Sequence, residues 1–217
     1  MFQVEWPVDR MASPPAAQEW DDGARASGVV EREERQVSLY RVGALTVAGR
    51  RELCVVRNVS TGGMMLHAYS KIKPRSAISI EFKHGTQITG IVKWARGQSV
   101  GVQFDEPIDV EAVLASAPEG LRPRMPRIGI QTPVTIRQDG ACFTMRAVDI
   151  SQGGVCVEGA QALTLGADAV VSIGGLAAEA AVVRWRNGDF YGIGFNRLLS
   201  VNTLSDWLQQ HREAGQG

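Results

Sequence analysis

Cysteine is scarce in this chain, and what there is does not pair: Cys54, Cys142 and Cys156 are an odd number with no C-x-x-C spacing. That argues against a disulfide framework and a zinc knuckle, and it predicts three buried, reduced thiols that pack as small hydrophobes. Net charge is also lacking, since 23 Lys and Arg balance 23 Asp and Glu. With no global basic field and only 6% aromatic residues, a nucleic acid polymer has neither counterion release nor a stacking platform to hold it. A local basic site for a small anion is still permitted. No window approaches the ~20 apolar residues of a membrane helix, and the N-terminus lacks the basic-then-apolar order of a signal peptide. No membrane insertion and a cytoplasmic location are therefore expected. His67, His84 and His211 are too scattered for a metal site. No Ser-His-Asp set, carboxylate pair or phosphate-binding G-x-x-x-x-G-K-[ST] loop stands in a convincing context. Neither catalysis nor a cofactor is expected.

What is present is an ordinary globular composition, 44% hydrophobic and 21% charged over 217 residues. That length suits two domains of about 100 residues, each able to bury a core. Self-comparison supports two. At an offset of 91, Ser60, Gly62 and Gly63 fall on Ser151, Gly153 and Gly154; Trp94 and Gly97 on Trp185 and Gly188; Gly101 and Phe104 on Gly192 and Phe195. No gap is needed between these anchors, so the chain carries a duplicated structural unit.

Within the first copy, Ile78, Ile80 and Phe82 alternate with polar residues, and Ile88, Val92 and Trp94 continue the period of two. Gly85 and Arg96-Gly97 punctuate these runs, and Val100, Val102 and Phe104 supply the next strand. The second copy repeats the layout with Val171 and Ile173, Val183 and Trp185, the Asn187-Gly188 turn, and Ile193 and Phe195. Short antiparallel strands at this spacing, with no room for crossover helices, predict a sandwich or closed barrel. Trp94 and Trp185 are expected in the cores. Each copy then ends in a short helix, over residues 109–116 with Val110, Val113 and Leu114 on one stripe, and again where Leu204, Trp207, Leu208 and His211 follow the helical period. Residues 1–30, with Pro7, Pro14, Pro15 and an acidic cluster, are read as a disordered leader in which Trp6 and Trp20 either dock on a partner or are isolated aromatics. The expected domains are 31–117 and 124–217, joined by a stiff linker at 118–123 that keeps them close.

With those residues placed, the chain resembles the PilZ family, whose signature is an arginine pair, R-x-x-x-R, followed by [DN]-x-S-x-x-G. The second element occurs twice, as Asn58-Val59-Ser60-Thr61-Gly62-Gly63 and as Asp149-Ile150-Ser151-Gln152-Gly153-Gly154. The family's trailing features, an apolar strand ending in Trp and a G-[IV]-x-F strand, are present in both copies. The resemblance spans about residue 31 to the C-terminus. It implies a mainly all-β fold of two six-stranded antiparallel PilZ-type barrels in tandem, each followed by a short C-terminal helix. The first element departs from the family: Arg32 and Arg35, and Arg124 and Arg127, stand three apart rather than four. On an extended segment such a pair points to opposite faces, so a shared ligand needs a local bulge. Arg41 and Arg122 are alternative partners that spacing alone does not select.

The resemblance further implies that the ligand is cyclic di-GMP and that a downstream protein partner, unidentified by the sequence, reads the bound state. Arg32 and Arg35, with Arg124 and Arg127 as the second set, would supply guanidiniums for phosphate and for guanine O6 and N7. Asp149 can accept from guanine N1-H and its amine together, whereas Asn58 offers one acceptor and a donor. Ser60 and Ser151 bring a hydroxyl, and Gly63 and Gly154, with their preceding glycines, allow close backbone approach and positive φ. A Ser-Gly turn also exists for its own sake in many β-proteins. Two function classes follow, a cyclic dinucleotide receptor and a divergent PilZ adaptor that binds proteins without the dinucleotide.

Overall fold

The computed structural model describes residues 37–82, 87–114 and 125–214. The expected leader, the 118–123 linker, and Arg32, Arg35 and Arg124 lie outside the described residues. The first barrel is built from β1 (Val37–Val47), β2 (Arg50–Val59), β3 (Gly63–Ala68), β4 (Ala77–Glu81), β5 (Gln87–Arg96) and β6 (Ser99–Phe104), followed by the single helical turn α1 (Val110–Leu114). The second repeats it with β7 (Ile128–Gln138), β8 (Ala141–Ser151), β9 (Gly154–Glu158), β10 (Asp168–Ile173), β11 (Glu179–Asn187) and β12 (Phe190–Phe195), followed by α2 (Val201–Ala214). All pairings are antiparallel, in the order β1-β2-β3-β6-β5-β4 for the first barrel and its equivalent for the second. Each sheet closes on itself, through β1 with β4 and β7 with β10.

The long hairpins turn at Ala48-Gly49 and Asp139-Gly140, where both residues have positive φ. That backbone suits the right-handed twist of the flanking strands. Period-two alternation places Ile78, Ile80, Phe82, Ile88, Val92, Val100 and Val102 inside the first barrel, and Val171, Ile173, Val183, Ile193 and Phe195 inside the second. Both helices are capped alike: the Asp109 carboxylate accepts from Ala112 N at 3.1 Å, and Ser200 Oγ from Thr203 N at 3.0 Å.

Two expectations fail for identifiable reasons. Trp94 and Trp185 are not core residues; each is 38% exposed. In β5 the register runs Ile91↔Gln103, Val92↔Val102 and then Trp94↔Gly101, so Lys93 is an extra residue. In β11 Arg184 plays the same part before Trp185↔Gly192. The bulge reverses the inside-outside alternation and turns each indole onto the outer surface. There the ring covers the opposite glycine so closely that a Cβ at Gly101 or Gly192 would overlap it. Cys142 is exposed because it stands at the hairpin end of β8, just after the Asp139-Gly140 turn, while Cys54 and Cys156 are buried.

The barrels share apolar surface. In β2, Cys54 and Val56 face the first barrel's interior. The intervening Leu53 and Val55, with Ala44 of β1, join the second barrel's cluster, which includes Leu204, Trp207 and Leu208 of α2. Five consecutive residues, Glu52 to Val56, are therefore buried. Helix α2 is fastened at both ends of this contact. Trp207 Nε1 donates to Gly174 O at 2.8 Å within its own barrel, and the Gln209 amide and Arg212 guanidinium donate to the carbonyls of Tyr69 and Arg51 in the other.

These placements rank the tryptophans. Trp207→Ala empties a buried site and is expected to cost about 3–5 kcal/mol. Trp94→Ala or Trp185→Ala leaves no enclosed cavity and should cost about 1–3 kcal/mol from lost apolar contact. Denaturant melts giving Trp94→Ala the larger loss would contradict the bulged geometry. The thiols are ranked too. Burial, and secondarily the Glu52 charge, pushes the Cys54 thiol up to about 12. Cys142 alone should react rapidly with a disulfide reagent in the folded protein, with Cys54 reacting only on denaturation.

Candidate functional site

The [DN]-x-S-x-x-G segments form the turns between β2 and β3 and between β8 and β9. In the first, Ser60 N and Ser60 Oγ both donate to Gly63 O, at 2.8 and 3.2 Å. In the second, Ser151 Oγ donates to Gly154 O at 3.3 Å. The serine hydroxyl thus helps to close its own turn. The glycines serve packing rather than an unusual backbone, because none of Gly62, Gly63, Gly153 and Gly154 has positive φ. A Cβ on Gly63 would overlap Val102 O, and one on Gly154 would overlap Ile193 O. The expected positive φ is therefore absent, and the close approach seen here is that of a neighbouring strand.

The chain following β6 or β12 returns over each turn. Phe104 N and Ile108 N donate to Gly62 O and Thr61 O, both at 2.9 Å. Phe195 N and Leu199 N donate to Gly153 O and Gln152 O at 3.0 and 2.8 Å. Pinned at both ends, residues 105–107 and 196–198 arch outward beside the two turns and are exposed. The first arch carries Asp105, Glu106 and Pro107, the second Asn196, Arg197 and Leu198.

Of the expected site residues, the structure brings together Arg127 and Asp149 of the second copy. Arg127 Nη1 lies 3.3 Å from Asp149 Oδ1, with the two side chains 49% and 29% exposed. Met125 and Leu198 flank Gly153, their nearest atoms 3.4 and 3.5 Å from where its Cβ would stand. The Arg127 carbonyl accepts from Arg51 Nε at 3.2 Å, so the first barrel braces this segment. Arg51 also pairs with Glu81 at 2.7 Å. Below the site, burial and secondarily the Asp149 charge hold the Cys156 thiol above its usual range.

In the first copy Asn58 Oδ1 accepts from Met65 N at 3.1 Å, which ties the side chain to the β2–β3 ladder. Arg41 points toward α1, with Nη1 3.5 Å from Val113 O. Arg51, Met125, Arg197 and Leu198 were not among the expected site residues. Comparison of the copies at the offset of 91 carried a signal for the last two, since Glu106 and Arg197 occupy equivalent positions with opposite charge. Nothing in the sequence pointed to Arg51, which reaches the site across the inter-barrel contact. Among the described residues no group of three His, Cys, Asp or Glu is arranged to hold a metal ion, and no helix is long and apolar enough to cross a membrane.

The family model for the PilZ domain matches residues 30–116 and again 121–210. The chain belongs to the PilZ domain family. Among solved structures it is similar to the PlzA protein of Borreliella burgdorferi in complex with c-di-GMP, at 13% identity over 77% of this chain and 86% of that one, with a TM-score of 0.33. It is similar to the inhibitor of motility MotI/DgrA of Bacillus subtilis at 12% identity, covering 82% and 99% with a TM-score of 0.35. For YcgR of Escherichia coli in complex with c-di-GMP the values are 17% identity, 82% and 86% coverage and a TM-score of 0.29. No curated protein matches the chain.

The packing of the turns gives a direct test of the glycine argument. Gly63→Ala and Gly154→Ala each force a methyl against the backbone of the neighbouring strand, and each is expected to cost about 1–3 kcal/mol. A neutral effect at both positions in thermal melts would show that the strands do not approach this closely.

Proposed function

We propose that this protein is a cyclic di-GMP receptor whose second copy is the binding copy. It acts as a non-catalytic cytoplasmic module that presents its bound state to a protein partner. In this reading the functional copies are residues 31–117 and 124–217, joined by 118–123. The observation that carries it is the 3.3 Å pairing of Arg127 with Asp149, which joins the arginine segment to the [DN]-x-S-x-x-G turn. A guanidinium held beside a carboxylate offers a phosphate or Hoogsteen-edge donor next to an acceptor for guanine N1-H and its amine. In this reading Arg124 is the second arginine of the set, and Ser151 and Gly154, which build the turn after Asp149, complete it.

The arches support the choice of copy. Asp105 and Glu106 place two negative charges beside the first turn, whereas Asn196 and Arg197 place one positive charge beside the second. A dianion is repelled at the first turn and drawn to the second, an effect that acts within about a Debye length of 8–10 Å. With Asn58 already bonded to Met65 N, the first copy is the adaptor half of the molecule, and Arg32 and Arg35 contribute less than Arg124 and Arg127.

Titration calorimetry with cyclic di-GMP, cyclic GMP-AMP and GTP tests this. Saturable heat is expected with cyclic di-GMP. Arg127→Ala and Asp149→Ala should each remove charge-assisted contacts worth about 1.5–3 kcal/mol, a loss of roughly ten- to hundredfold in affinity. Asn58→Ala should leave affinity unchanged. Silence with all three ligands would overturn the receptor reading in favour of the ligand-free adaptor.

A further inference from the structure

A second charged site lies away from the motif turns, where the start of β2 and the chain after β3 meet the end of α2. A cleft of about 450 Å³ opens there, within the size range of small-molecule sites. Its centre is Glu52, a carboxylate only 4% exposed. Glu52 Oε1 accepts from Ser70 Oγ at 2.7 Å. Its Oε2 lies 3.3 Å from Arg50 Nε and 3.8 Å from Arg212 Nη1. Arg50 also donates through Nη2 to Ser70 Oγ at 2.7 Å. Lys71 lines the same cleft and is exposed.

Two guanidiniums thus converge on one carboxylate, and a third cation, Lys71, lines the cleft. Glu52 fixes both guanidiniums in place but neutralises only one charge, leaving the cleft electropositive. Burial, with the Arg50 charge adding to it against Glu52, lowers the Arg212 pKa from its usual value. An anion placed between Arg50 and Arg212 offsets their mutual repulsion and favours the charged guanidinium. Guanidiniums held by a buried acceptor are prepared for bidentate bonding to phosphate oxygens, and Lys71 adds a mobile ammonium at the rim.

We propose that this cleft binds a phosphate-bearing anion. Arg50, Ser70 and Lys71 belong to the first barrel and Arg212 to the helix of the second, so the bound anion bridges the two barrels and strengthens their contact. The site shares no ligand-binding residue with the Arg127–Asp149 site, and the inference goes beyond the receptor reading.

The test uses the full chain, with inorganic pyrophosphate and inorganic phosphate as probes and sodium chloride matching the ionic strength. Pyrophosphate is expected to raise the thermal midpoint saturably, through linkage, and to give saturable heat in calorimetry. Lys71→Ala removes a cleft cation without touching the partners of Glu52. It should leave the unliganded midpoint unchanged and weaken pyrophosphate binding about five- to tenfold, while Lys71→Arg retains it. Arg212→Gln should weaken it further. The Arg127→Ala/Asp149→Ala double variant should respond to pyrophosphate like the parent, whether or not cyclic di-GMP binds. A midpoint that moves no more than with sodium chloride overturns the proposal, as does a response lost in the double variant and retained in Lys71→Ala.

Discussion

The structure depends on a strand that is buried from both sides. In an isolated barrel, β2 would alternate between core and solvent; here Leu53 and Val55 leave the first barrel's interior and enter the cluster built on Leu204, Trp207 and Leu208. The strand is a wall common to two cores. Disturbing its inner face loosens the first barrel, and disturbing its outer face releases α2. The same strand begins with Arg50, Arg51 and Glu52, so the inter-barrel contact also sets polar groups. Arg51 reaches the Arg127 carbonyl, and Glu52 organises the cleft beneath α2. Apolar burial supplies the adhesion, and charged groups at its margin fix the register of one barrel on the other.

The motif turns show how a recognition element can be required by the fold itself. Ser60 and Ser151 close their turns, and Gly63 and Gly154 exist because the adjacent strand's carbonyl leaves no room for a side chain. These residues would be needed even in a barrel that bound nothing, so [DN]-x-S-x-x-G alone does not separate a receptor from an adaptor. What differs between the copies lies at the first residue of the motif and in the arch above it. Asn58 is bonded to Met65 N, whereas Asp149 faces Arg127.

Much of the fold was legible because the repeat is gapless between its anchors and the alternation is strong. Ile78, Ile80 and Phe82 declared an inner face, and the Asn187-Gly188 dipeptide declared a hairpin. Trp94 and Trp185 were misplaced because a bulge is a single extra residue. Lys93 and Arg184 carry no sequence mark of being that residue, yet they reverse the face of everything after them. The outward burial of Leu53 and Val55 was equally hidden, since a fully buried strand and one buried on one face differ only by what packs against them. At the candidate site, the motif named Asp149, Ser151 and Gly154. It did not name Arg51, because that residue arrives from the other barrel, and long-range placement leaves no local pattern.

Duplication followed by divergence gives this arrangement a physical logic. Both copies keep the backbone bonds that pin the arch, the capping residues Asp109 and Ser200 that start the following helix, and the glycine under each tryptophan. Those features hold each barrel together and tolerate little change. The exposed arch residues bear no such load, so Glu106 and Arg197 can differ in sign at almost no cost to stability. The helices differ in what they touch: among the described residues α1 spans Val110–Leu114, while α2 runs fourteen residues and reaches across to β2. Two barrels of one design thereby become unequal, one offering the outer wall of β2 as a docking surface and the other docking on it beside its own charged turn. Arg51 touches both the docked segment, through the Arg127 carbonyl, and the first barrel's Glu81, so one side chain ties the arginine segment of the second copy to the wall of the first. A single barrel has no such tie, because both the wall of β2 and the segment it holds are needed to make it.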